Sequence, residues 1–375
     1  MSLDQEMAGR LHDAMTHFQY EHSRAVNPNP TAKWRITSAL QKSIRRGYAD
    51  SARFFARSLL TLDREYFYRR MAVISMEDVG AGNPQLVAMY LYASRFKTVR
   101  AKYGEYKVAE FFADQFARAI KDRNACDLLV CADWHPDYAK QRAEFFHYDP
   151  EMLAEGALGT DDEIERTIAL WYLMGTSTFT SPVLPPRSGS KEWFKKVNYD
   201  LGVSELGAYI SKWGASKQRE GHPITIGNTI RLAAKSTGFT EDRLIKGPSI
   251  GRYPPCALDM HTREGKHAIA MLSKDIGNLY QYSKLADINK SIGIVLFRLE
   301  GHQVDRRMHY PQTPWIQKKT EESFMMSACG DIELGLQLME TVYDYMDELN
   351  EKRRYALSKT SVQVDHFDGA TIPNL

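Results

Sequence analysis

In the stretch WRITSALQKSIRR, residues 34–46, Ile36, Leu40 and Ile44 recur at every fourth position and draw one apolar stripe along a helix. The spacing returns in ADSARFFARSLLTL through Ala52, Phe55 and Leu59, and again in VAEFFADQFARAI. Glycine or proline interrupts these runs. A chain patterned this way buries helix stripes against one another and has little alternating sequence from which to build a sheet. The expected fold class is all-α.

Local signals place the breaks. Gly47 separates the first two helices, and a third runs from about Tyr66 to Val79. Gly80 fits the left-handed position after a helix end, while Asn83 and Pro84 supply the cap and first residue of a helix over PQLVAMYLYASRFKTV. Thr160 to Glu163 reads as the capping box of the next clear helix, DDEIERTIALWYLM. The segment GTSTFTSPVLPPRSGS, 175–190, is rich in Ser, Thr, Pro and Gly and reads as a linker or long surface loop. Helical patterns then resume. The expected division is a helical domain over 25–150, a helix and linker over 151–190, a second helical domain over 191–357 and a flexible tail over 358–375.

At 375 residues the chain is long enough to bury two or three cores. No run approaches the roughly 18 apolar residues of a membrane span. The start, MSLDQEMAGRLHDAM, lacks the apolar run of a signal peptide. Both points favour the cytoplasm and no membrane partner. Cys126, Cys131, Cys256 and Cys329 lack CxxC spacing and read as reduced core residues.

The segment MAVISMEDVGAGNPQLV, residues 71–87, sets Glu77 and Asp78 at the C-terminal end of a helix, where acids oppose the macrodipole. Something positive must answer them. Arg45, Arg46, Arg69 and Arg70 are the expected partners, in an ion pair that locks the corner. The alternative is contact with a partner or a metal.

Residues 31–70 carry ten basic side chains against three acids. On the helical wheel Arg35, Lys42, Arg45 and Arg46 fall opposite the apolar stripe, giving that helix a core face and a basic face. Aromatics interleave with the basic residues in DREYFYRR and SRFKTVRAKYGEYK, a pattern suited to single-stranded nucleic acid. The candidate nucleic-acid-binding residues are Lys42, Arg45, Arg46, Arg69, Arg70, Arg95, Lys97 and Arg100. The rings also fit a core at helical spacing.

Two clusters carry metal-ligand residue types. Asp259, His261, Glu264 and His267 stand near a helix start, where Asp259 or Thr262 would also serve as a cap. His302, Asp305 and His309 fall at i, i+3 and i+7, one helix face, and are the candidate metal ligands. Neither cluster matches HExxH, and no nucleophile signature such as GxSxG is present. The segment IGRYPPCALDMHTREGK reads as capping sequence or as a docking loop for a partner chain. GAGNP lacks the lysine and Ser/Thr of a phosphate loop and is turn chemistry, so no cofactor is expected.

The stretch from Ile36 to Val87 resembles the C-terminal helical region of the RarA/MgsA family. These are clamp-loader-like AAA ATPases of replication-associated recombination, a group that includes the Werner-helicase-interacting protein. The resemblance rests on Ser38, Ala39, Lys42, Ser43, Arg45 or Arg46, Gly47, Asp50, Ala52, Ala56, Arg57 and Leu59. The arginine pair Arg69-Arg70 follows, then Ser75, Glu77, Asp78, Val79, Gly80 and Pro84. Met76 interrupts the family's Ser-Glu-Asp. A weaker likeness in AEFFADQFARAIKDRNACDLL extends the match to about residues 30–135.

In that family an ATPase module precedes this region; here about 30 residues precede it and no GxxxxGK[ST] phosphate loop occurs in the sequence. The resemblance therefore implies a collar-like, oligomer-forming part without the motor. Expected from it is a non-catalytic accessory of DNA replication or recombination that forms homo-oligomers or docks on replication proteins, and binds DNA through its basic face. Two alternatives stay open: a metal-dependent hydrolase or nuclease built on the C-terminal His/Asp clusters, and a regulator that binds a RarA-type ATPase without touching DNA.

Overall fold

The computed structural model describes residues 2–20 and 28–360. The expected domain start at residue 25 lies outside the described residues. So does the expected tail beyond Thr360; Ser358 to Thr360 close the last helix.

The all-α class holds, with nineteen α-helices and a single two-stranded sheet among the described residues. In chain order they are α1 (Leu3–His17), α2 (Lys33–Arg45), α3 (Ala49–Leu62), α4 (Arg64–Ile74), α5 (Pro84–Arg95), α6 (Lys97–Tyr103) and α7 (Glu105–Arg118). Next come α8 (Asn124–Trp134), α9 (Ala139–Phe145), α10 (Pro150–Gly159), α11 (Glu163–Met174), α12 (Lys191–Asp200), α13 (Glu205–Lys217) and α14 (His222–Ala233). Strand β1 (Gly238–Thr240), α15 (Arg263–Ile276), α16 (Ile288–Leu296), β2 (Arg307–His309), α17 (Thr313–Cys329), α18 (Ile332–Asp344) and α19 (Met346–Thr360) complete the chain. β1 and β2 pair antiparallel, with Phe239 opposite Met308. Among the described residues, no helix is long and apolar enough to cross a membrane.

Side-chain caps set many of the helix starts. Asp63 accepts from the Tyr66 amide, Asn83 from Leu86 and Thr262 from Gly265. The cap of α11 is Asp162, which accepts from Ile164 and Glu165, rather than the expected Thr160. Thr160 instead receives the Asp162 amide and donates to Glu165. The helix expected to run on from Pro84 through Phe96 breaks there, because Phe96 adopts an extended backbone.

The cores do not follow the expected borders. The first collects α1 to α5 and α7 but also takes Tyr209, Ile210, Ile226, Ile250, Tyr253 and Leu258 from the second half. A second joins α8 to α12 with Ile224, Tyr310 and Ile316. A third lies among α15 to α19. The 175–190 segment has no regular structure, as expected, yet it is packed rather than free. Phe179 and Leu184 are buried, the Trp171 indole donates to the Phe179 carbonyl, and Arg187 donates to the carbonyls of Phe145, Phe146 and Tyr148. All four cysteines are unpaired thiols, Cys131 and Cys256 fully buried.

Candidate functional site

α4 does not stop at a glycine cap. Its last turn, Ser75–Val79, widens into a π-helical turn closed by the Gly80 amide on the Ser75 carbonyl. Gly80 has positive φ, as expected, but at φ 48° and ψ −130° it lies outside the left-handed helix region. It allows a close backbone approach, since a Cβ there would stand 2.6 Å from the Asp122 carbonyl oxygen. The Asp122 amide in turn donates to the Val79 carbonyl.

The widened turn carries Glu77 and Asp78 inside the molecule, where Asp78 is wholly buried and Glu77 nearly so. Arg45 answers both acids: its Nε lies 2.7 Å from Asp78 Oδ1 and its Nη2 2.7 Å from Glu77 Oε1. Arg123, also fully buried, donates to Asp78 and lies 3.4 Å from Glu77. The Gln41 amide completes the cage, donating to Glu77 Oε2 at 2.8 Å and Asp78 Oδ2 at 2.9 Å. Arg70 stands 3.9 Å from Glu77 and donates to the side-chain Oε1 of Gln41. Burial opposes ionisation of Glu77, but Arg45 and Arg123 outweigh it and hold the carboxyl well below its ordinary range. Arg70 also meets Glu220, so three arginines face three acids and the junction is neutral, which makes so much buried charge tolerable.

Arg45 reaches further. Its Nη1 donates to the carbonyl of Gly301, inside a second π-helical turn, Phe297–Gly301, at the end of α16. Arg46 donates to the carbonyls of Ile245 and Glu300, and the Glu300 carboxylate is gripped by Arg353 through two hydrogen bonds of 2.7 and 3.2 Å. Lys42 meets Asp259 at 3.0 Å, and Ser38 donates to the same carboxylate oxygen. The far side of α2 is thus an interior face.

This corrects the expected basic face. Lys42, Arg45, Arg46 and Arg100 are all buried, and Arg100 donates to the carbonyls of Ala93 and Ser94. Arg95 is largely covered, paired with Asp4 at 2.9 Å and stacked over Trp213. Arg70 is half-buried. Of the eight candidates, only Arg69 and Lys97 stand exposed to solvent. A helical wheel separates apolar from polar sides but does not say whether the polar side meets water or a second layer of protein.

The expected metal ligands do not share a helix face either. The helix ends at Gly301, and His302, Asp305 and His309 each take a separate partner. His302 Nε2 lies 2.6 Å from Asp127, Asp305 binds the buried Lys121 at 2.9 Å, and His309 sits in β2 beside Thr237. Burial drives the His302 pKa down to about 3, while its contact and Arg307 hold Asp127 at about 2 against burial. In the earlier cluster, Glu264 pairs with Arg35, Asp259 with Lys42, and the His267 ring stacks on Tyr355. The segment expected as a docking loop is largely interior, with Ile250, Tyr253, Cys256 and Leu258 buried.

Among the described residues, one group of His, Cys and acidic side chains is close enough to consider for a metal: Glu77, Cys126 and His222, with ligand atoms within 4.8 Å of one another. It is poorly suited. Two arginines already hold the Glu77 carboxylate, and burial pushes the Cys126 thiol well above its ordinary pKa, whereas a metal needs the thiolate.

Of the four arginines expected at the acidic pair, Arg45 grips it and Arg70 reaches Glu77 at 3.9 Å, whereas Arg46 turns to the carbonyls of Ile245 and Glu300 and Arg69 is exposed to solvent. Sequence reasoning misses Arg123 and Gln41. Arg123 lies in the turn KDRN, 45 residues beyond Asp78, with no local periodicity to point back. No family model, curated protein or solved structure matches this chain.

Proposed function

We propose that the protein is a non-catalytic accessory of DNA replication or recombination, working by self-association or docking on replication proteins. The observation that carries this reading is the commitment of Glu77 and Asp78, at the heart of the motif resembling the RarA/MgsA helical region, to Arg45, Arg123 and Gln41. A motif held this way acts as a rigid joint. Through Arg45 it ties α2 to two helix ends more than 200 residues apart in sequence. A rigid, collar-like body suits assembly rather than chemistry.

On this reading DNA contact falls to the exposed cations, Arg69 and Lys97, and not to the α2 face. The Arg69→Glu/Lys97→Glu double variant should fold normally and bind single-stranded DNA more weakly. The slope of log K against log salt should become shallower by roughly 0.7 for each phosphate no longer neutralised. Fluorescence anisotropy at several salt concentrations measures both. Unchanged affinity and slope in the folded variant would remove these two residues from the DNA interface.

A further inference from the structure

Eight arginines are buried among the described residues. Seven of them meet a carboxylate: Arg35 meets Glu264, Arg45 the acidic pair, Arg100 Glu105, Arg123 Asp78, Arg166 Glu163, Arg307 Asp242 and Arg353 Glu300. Arg46 is the exception. It is 6% exposed and makes no ion pair among the described residues; its hydrogen bonds go to the main-chain carbonyls of Ile245 and Glu300, at 2.9 and 3.1 Å. The Glu300 carboxylate also attracts it, but Arg353 already holds that acid. Two guanidinium groups thus share one negative charge. A cation buried against carbonyl dipoles alone recovers only part of the hydration it has lost.

Arg46 lines a pocket of about 240 Å³ at the C-terminal end of α2. Leu244, Ile245, Pro254 and Pro255 supply apolar walls, and Tyr48 and Cys256 add neutral polar groups. Burial pushes the Cys256 thiol up, so it brings no negative charge. Among the described residues no carboxylate side chain lines the pocket. Lys246, exposed and without an ion pair among the described residues, adds a second positive charge. The two carbonyls take two of the five N–H donors a guanidinium carries, which leaves donors for a further acceptor.

We propose that this pocket binds a small organic monocarboxylate, its carboxylate on Arg46 and its apolar stem against Leu244, Ile245 and the two prolines. A carboxylate matches the planar fork of a guanidinium and supplies the charge that Arg46 lacks. The space is smaller than the roughly 300–1,000 Å³ that holds a drug-sized ligand, which limits the acid to a short one. The assignment does not depend on the DNA reading above.

Calorimetric titration of the full chain with hexanoate tests it, with neutral hexanamide and inorganic phosphate as comparisons and Arg46→Gln, Lys246→Gln and Lys246→Glu as variants. Hexanoate should bind saturably and raise the melting temperature, as any ligand of the folded state does. Hexanamide lacks the charge and phosphate lacks the stem, so neither should match it. Arg46→Gln should weaken hexanoate about 10- to 150-fold, the range for hydrogen bonds to a charged group. Lys246→Gln should weaken it about 2- to 5-fold, as for an exposed charge, and Lys246→Glu further. These two exposed changes keep the test decisive if Arg46→Gln does not fold. Hexanamide or phosphate binding as tightly as hexanoate would overturn the carboxylate assignment. No hexanoate binding at millimolar concentration, or an affinity unchanged in the folded variants, would overturn the site itself.

Discussion

Arg45→Met should destabilise the protein by about 3–5 kcal/mol, the usual cost of removing one partner from a buried ion pair. The substitution keeps most of the side-chain volume but leaves Asp78 without its Nε donor, Glu77 without its 2.7 Å partner and the Gly301 carbonyl without a donor. Arg123 and Gln41 remain, so the acids are weakened rather than stripped. Arg45→Lys should help little, since one ammonium cannot reach two carboxylates and a carbonyl in the planar fork that a guanidinium supplies. In a Glu77→Gln/Asp78→Asn background the same Arg45→Met change should cost less, because it then leaves no carboxylate without its partner. Urea unfolding of the four proteins gives the cycle. An Arg45→Met loss below about 1 kcal/mol would mean that the junction is not the joint described.

Gly82→Ala should be the second severe change, costing about 1–3 kcal/mol as an overpacked site does. A Cβ on Gly82 would stand 2.2 Å from the Ile120 carbonyl oxygen, and backbone cannot swing aside as a long side chain can. The segment from Ile120 to Asp122 is itself pinned. The Lys121 amide donates to Arg306, Met308 donates back to Lys121, and the Asp122 amide donates to Val79. A shift at Gly82 therefore spreads into β2, which bridges to Lys121, and into the turn that presents Arg123. Gly9→Ala is the natural contrast. Gly9 lies within α1 with nothing within 4 Å of its added Cβ, so alanine should stabilise the protein by about 0.5–1 kcal/mol. Thermal unfolding of both variants should move in opposite directions.

Much of the fold is legible in the sequence because its signals are local. The stripe Ile36, Leu40, Ile44 is buried as its spacing requires, and Asn83-Pro84 opens α5. The domain borders are not legible. Ile250, Tyr253 and Leu258 complete the first core from more than 100 residues away, and no composition change marks them. The same distance hides part of the site. Glu77 and Asp78 announce a need for positive charge, and Arg45 lies within reach of helix-packing logic. Arg123 comes from a turn, and the second π-helical turn that receives Arg45 comes from residues 297–301. Lys42 and Arg46 look like a solvent face for the same reason: the carbonyls and acids that receive them lie beyond residue 244.

The proposed function, assembly and DNA contact by a body whose acidic corner is structural, has a simple signature in solution. Light scattering of the purified protein, with and without a short single-stranded DNA at low and moderate salt, reads it out. A stable oligomer should take up DNA at low salt and release it steeply as salt rises, because phosphate contacts displace counterions. A monomer whose mass is unchanged by DNA at low salt would overturn both the assembly and the DNA contact.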